Sequence, residues 1–270
     1  MSVPAAYIGI ILIWSTTPLA IQWSSNEVGF LFGITSRMTL GILGGLLVAG
    51  LFNIRLPWHT AARRTYLAAG LGLFLAMTSV YWSAQFIPSG WVSVLFGLAP
   101  IITGAMASFW LAEQALTPAR VTGMLLGLAG LAIMLLGSQQ LGQRAVYGIA
   151  GMVFSVTAYS ASAIAVKRIA ADIPALATTI GALAVTVPLL LLVCILAGEP
   201  LPARVPARAA LSIVYLGLIG SVLGFAMYYY VLRHVAATRV ALITLITPIT
   251  ALLLGHILNG EALQATALTG

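Results

Sequence analysis

Leu98–Glu113 reads LAPIITGAMASFWLAE, a proline set inside an apolar run and closed by Glu113, thirteen residues after Pro100. The arrangement returns at Thr247-Pro248-Ile249, with Glu261 again thirteen residues beyond its proline. The chain has only five acidic residues, so two at one offset from an apolar Pro-Ile point to an internal repeat.

Composition sets the medium. The 270 residues are 61% hydrophobic and 6% charged, against roughly a quarter charged in ordinary globular proteins. Too few polar residues remain to cover a soluble fold of this size. The apolar stretches run 18 to 25 residues, the length that crosses a hydrocarbon core at about 1.5 Å rise per residue. They lack the alternation of an outer-membrane barrel. The sequence therefore predicts an all-α polytopic membrane bundle with the lipid bilayer as its solvent. The net charge of +7 comes from Lys and Arg scattered in loops; it reads as a topology signal beside anionic lipid, with no nucleic acid as partner. Cys194 is the single cysteine and forms no intrachain disulfide. No cofactor or metal is expected. Met1 leads straight into a full-length span, which predicts a retained first helix rather than a cleaved signal.

The predicted spans are Val3–Ser24, Val28–Leu51, Thr65–Ile87, Trp91–Ala112, Pro118–Gly137, Val146–Ile169, Pro174–Ala197, Arg208–Val231 and Val240–Leu258. With the N-terminus inside, inner loops hold eight basic residues and outer loops three, so the positive-inside rule favours a cytoplasmic N-terminus. Pro100 and Pro248 are 148 residues apart, an offset that also lays Tyr81 on Tyr229 and Gly72 on Gly220. At 145, Trp14 falls on Tyr159 and Ala20 on Ala165. Five spans per copy is an odd number, so the second copy enters from the opposite side. The expectation is one membrane domain of two inverted five-helix repeats, 1–141 and 142–270, the architecture associated with alternating access. After Glu261 only Ala262–Gly270 follow, so nine spans are complete and a tenth is at most begun; the expectation is a helix continuing beyond residue 270.

Pro18, Pro100 and Pro248 each remove a backbone donor and crowd the carbonyl four residues back, at Trp14, Phe96 and Thr244. Such carbonyls in mid-membrane must meet protein, water or substrate, and the prolines are expected to be kinks beside a cavity. Thr78, Tyr81 and Gln85 share a face of the third span, and Ser155, Tyr159 and Ser162 one of the sixth. The remaining candidate binding residues are Trp14, Thr17, Tyr228, Tyr229 and Thr244. For the Ser and Thr hydroxyls the alternative is helix-to-helix hydrogen bonding, worth roughly 0.6 kcal/mol each; Trp82 and Trp91, near span ends, read as interfacial anchors. A cavity so lined is aromatic, hydroxyl-bearing and nearly uncharged, and suits a neutral or zwitterionic small molecule. Arg37, inside the second span, and His256 are expected in structural or gating roles, as are Lys167 and the helix-end Glu113 and Glu261. No carboxylate lies at mid-span, so a carboxylate proton relay is not supported. Gly123, Gly127 and Gly130 form a close-packing face for the bundle itself or for a homodimer.

At these residues the chain resembles the EamA-type, ten-helix branch of the drug/metabolite transporter superfamily. Trp14-Ser15-Thr16-Thr17-Pro18, Arg37, Tyr81…Ala84, Pro100…Glu113 and Gly123–Gly137 carry the likeness in the first copy. Tyr159…Lys167, Tyr229…Leu232 and Pro248…Glu261 carry it in the second. The resemblance implies two pseudo-symmetric bundles around a central cavity, with helices five and ten peripheral. Within the superfamily the chain looks most like bacterial amino-acid exporters, the aromatic amino-acid exporter included. Gln22 departs from the family's first-repeat Lys, whereas Lys167 keeps it in the second. The implied activity is export of amino acids, aromatic or other neutral ones favoured, across the bacterial inner membrane. Multidrug or sugar/nucleoside efflux stays open as an alternative. A channel would normally show a ring of charges or carbonyls, and a membrane enzyme an intramembrane constellation; neither pattern occurs.

Overall fold

The computed structural model describes residues 2–26, 28–112, 117–135, 142–199 and 201–250. Glu113, His256 and Glu261 lie outside them. Among the described residues every regular element is helical. The order is α1 Val3–Ser25, α2 Phe30–Leu51, α3 Thr60–Ser83, α4 Ser89–Phe96, α5 Ala99–Trp110, α6 Pro118–Leu135, α7 Ala145–Ile169 and α8 Ala175–Ala197. There follow α9 Ala207–Tyr215, a π-helical segment Leu216–Leu223, α10 Gly224–His234 and α11 Ala237–Ala241. Among the described residues seven runs are long and apolar enough to cross a bilayer, with α4–α5 and α9–α10 each counted as one, and a shorter apolar run covers Ala237–Thr250. The protein is an all-α, multi-pass membrane protein. Its outer surface is correspondingly apolar: Leu47 and Ile195 are 64% and 76% exposed.

Local chemistry moves three of the expected boundaries. The third span begins earlier than Thr65 because His59 Nδ1 caps the helix, accepting from the Ala62 N–H at 3.3 Å. It ends at Ser83 because the Phe86 and Ile87 N–H groups both turn back to the Ser83 carbonyl, at 2.9 and 3.2 Å. The fourth span is broken rather than kinked. Gly97 and Leu98 bond three residues back, to Val94 at 2.8 Å and Leu95 at 3.1 Å, and a new helix starts at Ala99 with Pro100 in its first turn. Proline needs no donor there, so the break absorbs the missing N–H. The eighth span carries the π-helical turn, in which the Gly224 N–H reaches five residues back to Ile219.

The two halves interlock. Helix α3 lies against α7 and α8 of the other half, while the α9–α10 span lies against α1 and α2. Ser162 Oγ donates to Ala68 O at 3.0 Å, and Ser155 Oγ to Ala76 O at 2.8 Å. Rising numbers on α7 meet falling numbers on α3, so the two run antiparallel. Ser24 Oγ, at the end of α1, donates to the Tyr81 hydroxyl at the end of α3, at 3.4 Å, so those two run the same way. Helix α7 is therefore inverted relative to α1. Helix α8 adds Thr186 Oγ1 donating to Gly70 O at 3.0 Å. This approach requires bare backbone: a Cβ on Gly72 would sit inside the Ser162 side chain, and one on Gly181 inside the Tyr66 ring. On α6, Gly127 faces the Leu245 side chain, while a Cβ on Gly123 would meet nothing within 4 Å among the described residues.

Gly72→Leu drives a bulky side chain into Ser162 of the facing helix, and overpacking costs about 1–3 kcal/mol or more. The expected result is loss of the monodisperse folded peak in detergent, with Ser162→Ala costing only about 0.6 kcal/mol. Equal melting of both variants would show that the α3–α7 contact is not tight.

Candidate functional site

Four of the expected aromatic residues converge. Trp14 of α1 lies 5.4 Å, centroid to centroid, from Tyr228 of α10 and 6.3 Å from Tyr159 of α7. Tyr159 and Tyr228 are 5.5 Å apart, and Tyr228 and Tyr229 5.2 Å. Phe96, the last residue of α4, stands edge-on to Tyr159 at 6.3 Å, and Phe225 edge-on to Trp14 at 6.2 Å. Both halves thus supply one cluster of rings in tilted and edge-to-face geometry. The last two rings were not anticipated. Phe225 is three residues before Tyr228 and so on its helical face, and Phe96 owns the carbonyl that Pro100 leaves without a donor.

Hydroxyls and prolines lie on the spans that carry these rings and on the Ala237–Thr250 run. Thr16 Oγ1 bonds Ile13 O and the Tyr215 hydroxyl, at 2.9 and 2.7 Å. Thr17 Oγ1 donates to Ile13 O at 3.1 Å, and Pro18 is interior to α1 and partly buried. Pro100 and Pro248 are buried, and buried Thr244 donates to Ala241 O at 2.8 Å. Ser15 and Thr250 pair their hydroxyls, tying α1 to the Ala237–Thr250 run. Among the described residues, no three His, Cys, Asp or Glu gather as a metal site needs.

Tyr81 belongs elsewhere. It is fully buried, and its hydroxyl accepts from Ser24 Oγ and, at 3.5 Å, from Arg37 Nη1. Arg37 is 1% exposed and donates through Nε to Ser221 Oγ of the π-helical segment at 3.1 Å. Both of these partners are hydroxyls. Thr78, one turn before Tyr81, has a buried hydroxyl with no hydrogen-bond partner among the described residues. Ser221 was illegible in the sequence because the π turn displaces it from the regular helical face.

Two expected binding residues stand apart from both groups. Gln85 falls in the turn after Ser83, is exposed, and bonds only Trp82 O of that turn, at 3.3 Å. Ser162 is the hydroxyl that holds α7 on α3. Trp91 also departs from its expected interfacial place: its Nε1 is buried and unpartnered among the described residues. Lys167 Nζ donates to Leu232 O at 2.9 Å and to Val235 O, capping the end of α10.

This pairing of two inverted, interlocked halves is matched by one family model, twice: residues 4–136 and residues 146–270 each match the EamA-like transporter family. The chain belongs to that family. Membership places it among transporters rather than enzymes. It is similar to a probable terminal-alkyne amino-acid exporter of Streptantibioticus cattleyicolor, 27% identical over 96% of this chain and 89% of that protein. It is also similar to the uncharacterized inner membrane transporter YedA of Escherichia coli, 26% identical over 91% of this chain and 82% of that one. A solved crystal structure superposes with a TM-score of 0.77 at 23% identity, covering 99% of this chain and 91% of that chain, so the two share a fold.

Tyr81→Phe removes the oxygen that receives Arg37 and Ser24. A hydrogen bond to a charged group is worth about 1.5–3 kcal/mol, so stability in denaturant melts is expected to fall by about that amount. An unchanged melt would remove Tyr81 from the support of the buried charge.

Proposed function

We propose that this EamA-family chain is a secondary transporter that exports amino acids and related metabolites by alternating access. Aromatic or other neutral amino acids are favoured, and the setting is the inner membrane with the N-terminus cytoplasmic. One observation carries the reading. Trp14, Tyr159, Tyr228 and Tyr229 form a ring cluster to which both inverted halves contribute, so a relative movement of the halves remakes the site. Rings stack a planar or apolar side chain, and neighbouring hydroxyls and proline-freed carbonyls take the polar groups. No carboxylate among the described residues lies in the cluster, which disfavours strongly cationic cargo. The S. cattleyicolor relative, named as a probable amino-acid exporter, supports the substrate class, and YedA, named as an inner membrane transporter, supports the compartment.

In this reading Trp14, Thr17, Pro18, Pro100, Tyr159, Tyr228, Tyr229, Thr244 and Pro248 surround the substrate, and Arg37 with Tyr81 and Lys167 steady the helix ends that move. Dimer formation through the Gly123 face is part of the same proposal. Reconstituted counterflow with labelled amino acids, nucleosides and organic cations tests the cargo. Saturable exchange of phenylalanine or another neutral amino acid is expected, and exchange of nucleosides or cations alone would transfer the site to those substrates. Trp14→Ala is expected to lower amino-acid flux at least about tenfold, the equivalent of 1.4 kcal/mol of lost binding, and undiminished flux would take the indole out of the site.

A further inference from the structure

A cavity of about 310 Å³ lies beside the ring cluster, where α7 ends, α8 begins and α10 comes to its last turn. Thr65, Lys167, Asp172, Thr178, Tyr229 and Arg233 give it its polar lining. Two of these groups are buried and unused. Thr178 is 4% exposed and Tyr229 7% exposed, and neither hydroxyl has a hydrogen-bond partner among the described residues. Thr178 is conspicuous on its own helix, because Thr179 and Thr186 bond the carbonyls four residues back, at 3.1 and 2.9 Å. Both residues line the cavity, so their hydroxyls are placed to bond a polar ligand group there.

The charges say which group. Lys167 is anchored by its ammonium to Leu232 O and Val235 O, at the negative end of α10. Arg233 pairs with Asp172 and donates to Ile173 O at 3.2 Å. The lining therefore holds two cations and one carboxylate beside two open hydroxyls, with Lys167 anchored and the Arg233–Asp172 pair facing outward. We propose that this cavity docks the carboxylate of a small zwitterion against Lys167, Arg233 and the Thr178 and Tyr229 hydroxyls, with Asp172 near its ammonium. The proposal rests on the amino-acid reading above and gives that cargo a first station, joined to the ring cluster through Tyr229.

The repeat offers a built-in comparison. At the 145-residue offset Lys167 corresponds to Gln22, and Gln22 lines a cavity of about 280 Å³ at the opposite end of the bundle, with Trp23, Asn26 and Arg208. There the Arg208 guanidinium stacks on the Trp23 ring at 4.0 Å, and the lysine's ammonium is replaced by an amide. The carboxylate station exists in one half only.

The test uses thiol labelling of the full chain. Ala175→Cys, made together with Cys194→Ser, puts one reactive thiol on the cavity wall, since Ala175 lines it and its side chain is a methyl with no polar group to lose. At about ten times its dissociation constant a bound ligand slows maleimide labelling about tenfold. L-Phenylalanine and N-acetyl-L-phenylalanine, which keep the carboxylate, are expected to protect, and L-phenylalaninamide is not. Thr178→Val and Arg233→Gln added to this protein are expected to reduce the protection. Equal protection by the amide, or none by the carboxylates, overturns the site. Counterflow on the same protein separates the two readings. Flux without protection removes this station and leaves amino-acid transport standing, protection without flux does the reverse, and the loss of both removes both.

Discussion

Inside a bilayer a backbone or hydroxyl group has only protein to bond with, and this fold meets that constraint between its halves. Ser155, Ser162 and Thr186 reach out of α7 and α8 to carbonyls of α3, and the glycines at 72 and 181 let the backbones approach closely enough for those bonds to form. Each half's third span is thus held by the other half's first two. The ring cluster, the buried arginine and the polar cavity all lie where these exchanged contacts bring residues of distant sequence together.

Arg37 illustrates how the arrangement handles a charge. At mid-span an arginine costs on the order of 2.5–3.5 kcal/mol on insertion scales. Here it is surrounded by hydroxyls from α1, α3 and the π-helical segment, connected through Tyr81 and Ser221. A carboxylate partner would neutralise the charge and fix it in place; hydroxyls solvate it and leave it positive. The π turn widens the eighth span where Ser221 and Gly220 face the guanidinium, the kind of local departure from α geometry that recurs at functional sites.

Much of this was legible in the residues. Apolar run length and the matched Pro…Glu spacing led to a helical bundle of two copies, and the family model matches both. Rings at helical spacing led to Trp14, Tyr159, Tyr228 and Tyr229. What stayed hidden depends on local hydrogen bonding or on the partner helix. The break at Gly97-Leu98 follows from two short backbone bonds that no periodicity encodes, and Gln85 left its face because Ser83 captured the next turn. Ser155 and Ser162 looked like cavity hydroxyls because helical spacing says which residues share a face but not which neighbour that face meets. Tyr81 and Tyr229 occupy matched positions in the repeat, yet one is sealed against Arg37 and the other lines an open cavity.

The exchange of third spans also imposes an order in time. Ala197, the end of α8, lies 114 residues after Ser83, the end of α3. At roughly 5–20 residues per second of synthesis, α3 waits about 6–23 s for its partners. During that interval its glycine-lined face meets only lipid and the helices of its own half. The first half is therefore a nascent intermediate with an unfilled socket, and what completes it is the arrival of the second half on the ribosome.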